Sequence, residues 1–216
     1  MMKRIVIFAN GELQDGSAVR RALDVSAYCI AADGGAQLAQ MMGLPIALLV
    51  GDMDSITPDL LHQLEVSGCE IKRYPAEKDE TDLELALLEA TQRGAEWVRV
   101  IGALGGRLDQ MLANIYLLNL PALQGRDVRL VAGKQTAWII GEGEHLLDGE
   151  VGDTISLLPL MGSAEGISTQ GLKYPLHQES LFYGTARGVS NQMIAQTASL
   201  QVRKGRLLVI HTEGQA

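Results

Sequence analysis

Five residues, Gly51-Asp52-Met53-Asp54-Ser55, place two carboxylates one residue apart, directly after the apolar run Ile46-Ala47-Leu48-Leu49-Val50. A short apolar run closed by Gly predicts a buried strand ending in a tight turn. In open α/β sheets, ligands bind beyond the carboxyl ends of the strands. Two carboxylates there suit Mg²⁺, which takes one or two protein carboxylates and leaves its other positions to water and phosphate oxygens. The chemistry implied is the handling of a phosphorylated substrate.

Three further segments stand at predicted strand ends: Asp33-Gly34-Gly35, Lys78-Asp79-Glu80-Thr81-Asp82, and Gly102-Ala103-Leu104-Gly105-Gly106-Arg107-Leu108-Asp109. In a parallel sheet all four loops fall along one edge. Two carboxylates about 4 Å apart repel by roughly 4 kcal/mol at an effective dielectric of about 20. Such a gathering therefore either splays into solvent or collects a hard divalent cation. Gly34, Gly35, Gly105 and Gly106 would let backbone N–H groups approach an anion. Arg107 could offer phosphate a bidentate fork, and Lys78 a point charge. Each segment also has a plain structural reading. Asp-Gly-Gly is a common turn, Asp82 favours a helix N-terminus, and Arg107 could be a surface charge. The joint pattern needs a separate such reading for every loop.

Other chemistries lack support. Gly133-Lys134 has no upstream glycine and no following Ser or Thr, so there is no Walker A loop, and no G-x-G-x-x-G opens the first helix. His62, His145, His177 and His211 show no zinc-ligand spacing and are expected to be structural or solvent-facing. No G-x-S-x-G elbow is present. Arg187-Gly188-Val189-Ser190-Asn191 reads as a turn, although its Ser-Asn pair could hydrogen-bond a polar heterocycle.

The elements that must position these residues alternate. Strands are expected at Met2 to Phe8, Tyr28 to Ala32, Ala47 to Val50, Glu70 to Tyr74, Trp97 to Ile101 and Val128 to Ala132. Helices are expected at Ser17 to Val25, Ala36 to Met42, after Thr57-Pro58, after the capping box Thr81-Asp82-Leu83-Glu84, and at Leu108 to Asn119. This is the pattern of βαβ units and a mostly parallel sheet. Beyond about Gly133 helical periodicity stops. Short β-like runs recur at Thr136 to Ile140, Thr154 to Leu158, Leu181 to Tyr183, Ala198 to Val202 and Leu207 to Ile210, which suggests an antiparallel sandwich. The expected organisation is an α/β domain over residues 1–132 and an all-β domain over 133–216.

The 216 residues carry a formal net charge of −8, which argues against nucleic-acid binding through the general field. The basic cluster Arg203-Lys204-Gly205-Arg206 is expected to be a charged hairpin turn. Cys29 and Cys69 form no CxxC pair and suit a reducing compartment. The apolar run Ile5 to Ala9 is too short for a signal-peptide core or a membrane span, so a cytoplasmic protein with no membrane partner is expected.

In order and spacing, Ala32-Asp33-Gly34-Gly35-Ala36, Gly51-Asp52-Met53-Asp54-Ser55, Lys78-Asp79-Glu80-Thr81-Asp82 and Gly105-Gly106-Arg107-Leu108-Asp109-Gln110 resemble the thiamine pyrophosphokinases, the bacterial type in particular. Gly171-Leu172-Lys173-Tyr174-Pro175-Leu176 and Arg187-Gly188-Val189-Ser190-Asn191 extend the resemblance through the β-domain. It implies an α/β domain binding ATP and Mg²⁺, a β-sandwich binding thiamine, and a homodimer with active sites at the interface. The implied reaction moves the pyrophosphoryl group of ATP to the hydroxyl of thiamine, giving thiamine diphosphate and AMP. Carried over residue by residue, Asp52, Asp54 and Asp82 hold Mg²⁺ and the phosphates, with Asp33, Gly34, Gly35 and Thr81 beside them. Lys78 and Arg107 face the phosphates. Asp109, Gln110, Ser190 and Asn191 lie near thiamine, the last two contributed across the dimer. Some relatives set a tryptophan near the C-terminus against the substrate; here the last tryptophan is Trp138, and Tyr174 and Tyr183 are the aromatic alternatives. The rival readings are a pyrophosphokinase of the same fold acting on another heterocyclic alcohol such as a pterin, a metal-dependent glycosyltransferase, and a non-catalytic sensor.

Overall fold

The computed structural model describes residues 3–23 and 28–215. Met2, and the end of the first helix expected to reach Val25, lie outside the described residues. The chain divides into two compact units, one ending at Gly133 and the other starting at Lys134.

The first unit alternates strictly. Its strands are β1 (Arg4–Phe8), β2 (Cys29–Ala32), β3 (Leu48–Gly51), β4 (Glu70–Arg73), β5 (Trp97–Ile101) and β6 (Asp127–Ala132). Between them run helices α1 (Ser17–Leu23), α2 (Gly35–Met41), α3 (Pro58–Val66), α4 (Asp82–Gln92) and α5 (Leu108–Leu117). The strands pair in the order β6-β5-β1-β2-β3-β4, every pair parallel. Because alternate side chains of a strand point to opposite faces, Val6, Phe8, Ala31 and Leu49 meet Val19, Ala22, Ala36, Ala39, Leu60 and Leu64 of α1, α2 and α3 in one core cluster. Helix α4 packs on β1, β2 and β3. The caps foreseen in the sequence form: Thr57 Oγ1 accepts from Leu60 N at 3.4 Å, and Thr81 Oγ1 from Glu84 N at 3.2 Å. Helix α5 stops two residues before Asn119, and the other ends shift by one or two residues, as terminal turns do.

The order reverses at β1, which lies between β5 and β2. Such a switch point opens a crevice at the carboxyl edge, where the loops diverge to opposite sides of the sheet. Every segment singled out above for chemistry in this unit leaves that edge.

The second unit holds two antiparallel sheets. One runs β12 (Asn191–Gln192), β9 (Thr154–Pro159), β14 (Leu207–Thr212), β7 (Gln135–Ile140); the other runs β11 (Glu179–Leu181), β10 (Ala164–Gln170), β13 (Thr197–Val202), β8 (Gly143–Asp148). Ile155, Leu157, Leu207 and Val209 from the first share a core with Leu147, Ile167, Ala198 and Leu200 from the second, so the sandwich expected from the sequence is present. Strands β8, β10 and the two-residue β12 are not among the runs expected from the sequence. In β8 only Leu147 is buried, and in β10 Gly166 at φ +64 accompanies a register shift, so neither shows a clean alternation. The run expected at Leu181 to Tyr183 pairs two residues earlier, leaving Phe182 and Tyr183 exposed. Arg203 to Arg206 form the turn between β13 and β14. Among the described residues no helix is long and apolar enough to cross a membrane.

Candidate active site

Three carboxylates converge at the carboxyl edge. One oxygen each from Asp33, Asp52 and Asp82 lies within 4.8 Å of the others. Asp33 follows β2, Asp52 follows β3, and Asp82 is the first residue of α4. Asp33 is 3% exposed, and its Oδ1 is buried with no hydrogen-bond partner. A buried carboxylate oxygen without a donor is costly unless a cation supplies the missing charge.

Gly51 makes the convergence possible. It sits at φ +149, and a Cβ there would lie 2.9 Å from Asp33 Cβ and 3.2 Å from Asp82 Oδ1. Any side chain at this position would push the acids apart. Met53, at φ +70, turns its side chain into the core. The Asp-x-Asp spacing therefore splits across the turn. Asp52 joins the cluster. Asp54 lines the same cavity but stands outside the cluster, its N–H donating to Asp52 Oδ1 at 3.1 Å and its Oδ1 accepting from Ser55 Oγ at 2.8 Å.

Lys78 Nζ stands 3.1 Å from Asp82 Oδ1 and 3.8 Å from Asp52 Oδ2, and donates to Pro75 O at 3.0 Å. The contact with Asp82 is an ion pair lying off the line of a hydrogen bond, so Asp82 Oδ1 has no directed donor. Burial pushes the Asp82 carboxyl above its ordinary range, Lys78 opposes this, and Asp33 and Asp52 add to the rise. Thr81 lines the cavity with its hydroxyl committed to the α4 cap.

These groups line a cavity of about 720 Å³ together with Gly105, Gly106, Arg107 and Gln110. Arg107 and Asp109 form a two-bonded pair, Nε to Oδ1 at 3.1 Å and Nη2 to Oδ2 at 2.6 Å. The guanidinium holds the Asp109 carboxyl below its ordinary range. Asp109 is thus paired with Arg107 and is not itself among the lining residues. Gly34 and Gly35 are not lining residues either. A Cβ on Gly34 would strike the Asn10 side chain at 2.2 Å, and one on Gly35 would strike Phe8 O at 2.1 Å, so both permit close packing at the end of β1.

Ser190 and Asn191 belong to the second unit. Ser190, at φ +60, donates its N–H to Ser156 Oγ at 3.1 Å. Asn191 Oδ1 accepts from Tyr174 N and Gln192 N, and its Nδ2 donates to Tyr174 O at 2.7 Å. The amide therefore clamps the backbone beneath Tyr174, whose ring is exposed.

Three polar cavity residues are not in the segments that the sequence pattern marks for chemistry: Asn10 and Glu12 after β1, and Asn114 in α5. The loop after β1 carries no acidic pair or double glycine to mark it. Asn114 did carry a signal, being a polar residue inside the apolar helical run Leu108 to Leu117.

A parallel sheet with a carboxylate and lysine cavity at its carboxyl edge, followed in the chain by a two-sheet β unit, is an arrangement suited to a cation and a polyphosphate, as a kinase-class transferase needs. A family model described as "Thiamin pyrophosphokinase, catalytic domain" matches residues 19–130, and one described as "Thiamin pyrophosphokinase, vitamin B1 binding domain" matches residues 144–207. The chain belongs to the thiamin pyrophosphokinase family. A thiamine pyrophosphokinase from Bacillus subtilis is 28% identical over 212 residues, covering 98% of this chain and 99% of the relative. The crystal structure of a thiamine pyrophosphokinase from that organism superposes with a TM-score of 0.87 over 98% of this chain and 99% of its own. That of a thiamin pyrophosphokinase family protein from Enterococcus faecalis, 29% identical, gives 0.86 over 98% and 100%.

Proposed function

We propose that this chain transfers the pyrophosphoryl group of ATP to the hydroxyl of thiamine. The observation that carries the reading is the convergence of Asp33, Asp52 and Asp82 beside Lys78 at the sheet edge. The match of the second unit to a vitamin B1 binding model favours thiamine over a pterin as acceptor. The donor set, three carboxylate oxygens with an unpartnered one on buried Asp33, suits a hard divalent cation, and Mg²⁺ is the proposed one. When bound it would neutralise phosphate charge and orient the polyphosphate.

The metal ligands proposed are Asp33, Asp52 and Asp82, with Asp54 at the rim of the same cavity. Lys78 and Arg107 hold the phosphates, Arg107 being aimed by Asp109. The thiamine oxygen bonds to the β-phosphorus, the bond from that phosphorus to the α,β-bridging oxygen breaks, AMP leaves, and the hydroxyl proton passes to solvent. The residues contribute positioning and charge, which dominate in transfers of this kind. Gln110 is the proposed thiamine contact in the first unit. Ser190 and Asn191 are proposed to complete the pocket across a homodimer, Asn191 by fixing Tyr174. In this reading residues 1–132 serve ATP and Mg²⁺, residues 133–216 serve thiamine, and the reaction runs in the cytoplasm.

The test is purified protein with ATP, Mg²⁺ and thiamine. AMP and thiamine diphosphate are expected in equal amounts. ADP with thiamine monophosphate, or turnover with a pterin alcohol alone, would overturn the reading.

A further inference from the structure

Helix α5 is packed unlike its neighbours. Leu108, Leu112 and Tyr116 lie exposed along one side, and its only buried residue is the amide Asn114, 8% exposed. Apolar residues normally take the inward positions of such a helix. A buried amide there needs a hydrogen-bond partner.

Asn114 Nδ2 donates to Ala103 O at 2.8 Å. Ala103 lies in the loop joining β5 to α5, three of whose residues, Gly102, Gly105 and Gly106, sit at positive φ (+76, +100 and +74). Glycine adopts those angles readily but loses the most conformational freedom when held in them. Among the described residues, no backbone hydrogen bond involves Gly102 through Gly106; the Asn114 amide makes the one hydrogen bond that anchors them. The loop is otherwise fixed by contact alone. A Cβ at Gly102 would lie 2.5 Å from Ala9 O, and one at Gly105 would lie 2.9 Å from Gln14 Nε2. The loop and Asn114 line the same cavity as the carboxylate cluster.

We infer that Asn114 is a positioning residue for ATP: its amide staples the glycine loop so that the loop backbone and Arg107 meet the polyphosphate in one fixed arrangement. This rests on the pyrophosphokinase reading for its ligand. The staple acts from the second turn of the loop's own helix and so ties the loop to α5. Asn is suited to the task because it reaches a carbonyl with a neutral donor, whereas Asp would present an acceptor to an acceptor.

The test compares wild type with Asn114→Asp, which keeps the shape and removes the donor, and with Asn114→Ala as a second variant in case the charged one does not fold. Backbone order parameters are followed by NMR at residues 102–106. Affinity for α,β-methylene ATP, which lacks the scissile bond, is measured by calorimetry with Mg²⁺. Loop order parameters should fall from about 0.85 to below about 0.6, and the analogue should bind about tenfold more weakly, the loss of one hydrogen bond's net worth. In turnover, KM for ATP should rise while KM for thiamine stays within twofold of wild type. A drop in melting temperature with unchanged analogue affinity would make Asn114 merely structural and overturn the inference, as would unchanged loop order parameters. If wild type binds the analogue and the variants behave as expected, but no thiamine diphosphate forms, the inference stands and the acceptor reading fails.

Discussion

Lys78 and Asp82, one helical turn apart in sequence, stand as an ion pair 3.1 Å apart with side-chain exposures of 11% and 26%. Lys78 is thus a resident cation among three carboxylates, and its ammonium competes for the oxygens that a divalent ion would use. At an effective dielectric of about 20, a charge pair near 4 Å is worth about 4 kcal/mol before desolvation is deducted. Lys78→Met should therefore tighten Mn²⁺ binding in the absence of nucleotide by about tenfold, equivalent to about 1.4 kcal/mol, while weakening ATP and lowering turnover by about a hundredfold. Electron spin resonance titration of free Mn²⁺ reads the first effect. Weaker Mn²⁺ binding in the variant would show that Lys78 supports the cluster instead of competing within it.

Asp33 is the clearest case of a group kept for function against stability. It is buried, sits at φ +44 and leaves Oδ1 without a donor. Asn tolerates left-handed backbone and has nearly the same shape. Asp33→Asn removes one of three converging charges, so its melting temperature should equal or exceed that of wild type. Mn²⁺ affinity and pyrophosphoryl transfer should both fall by about a hundredfold or more. A variant that melts earlier yet keeps its Mn²⁺ affinity would assign Asp33 to the fold.

The parallel unit was legible because most of its strands are short apolar runs, β4 (Glu70–Arg73) being the exception, and because α3 and α4 carry side-chain caps, both short-range signals. The loops that bear chemistry were legible for a related reason, since Asp next to Gly at a strand end is poor core material. What could not be read was direction. Asp52 and Asp54 are alike in sequence, and only the left-handed turn at Met53 sends one into the cluster and leaves the other beside it. Asp33, equally readable as a turn residue, gains its place from β2 lying next to β3, a matter of strand order. Arg107 and Asp109, each readable from the sequence as a ligand contact, also pair with each other. In the β unit, edge strands and a bulge blur the two-residue period, which is why β8 and β10 were missed.

Away from the cavity, Arg99 is 9% exposed, its guanidinium 2.6 Å from Asp127 Oδ2 and 4.2 Å from the Trp97 ring centre. Burial draws its pKa down to about 10, with Asp127 opposing. Removing one partner of a buried pair strands the other charge, whereas replacing the cation by an apolar chain need not. Asp127→Asn should cost about 3 kcal/mol and Arg99→Met no more than about 1 kcal/mol, since Met keeps the contact with Trp97 and Asp127 retains Arg129. Urea unfolding of both variants measures the asymmetry. Equal losses would mean the pair acts through its attraction alone.

Acid should loosen the β unit through Asp153. Burial alone would raise this carboxyl, but the N–H groups of Glu150 and Gly214 and the His211 ring outweigh it and hold it below its ordinary range. The contacts are Glu150 N to Oδ2 at 2.9 Å, Gly214 N to Oδ1 at 2.7 Å, and His211 Nε2 to Oδ2 at 2.7 Å. They tie the end of β14 to the turn before β9. Because the folded value lies below the unfolded value of about 3.9, the stabilisation is fully present above that pH and is lost as pH falls through the folded value. Asp153→Asn should therefore be less stable than wild type by about 2 kcal/mol at pH 7, and the gap should narrow as the pH drops below about 4. Placing both proteins in a Trp97→Phe background leaves Trp138, packed against the β core, as the only tryptophan and a reporter of this unit. Thermal melts followed by its fluorescence from pH 7 to pH 3 give the comparison. A gap that stays constant across that range would place the worth of Asp153 in its shape and not in its charge.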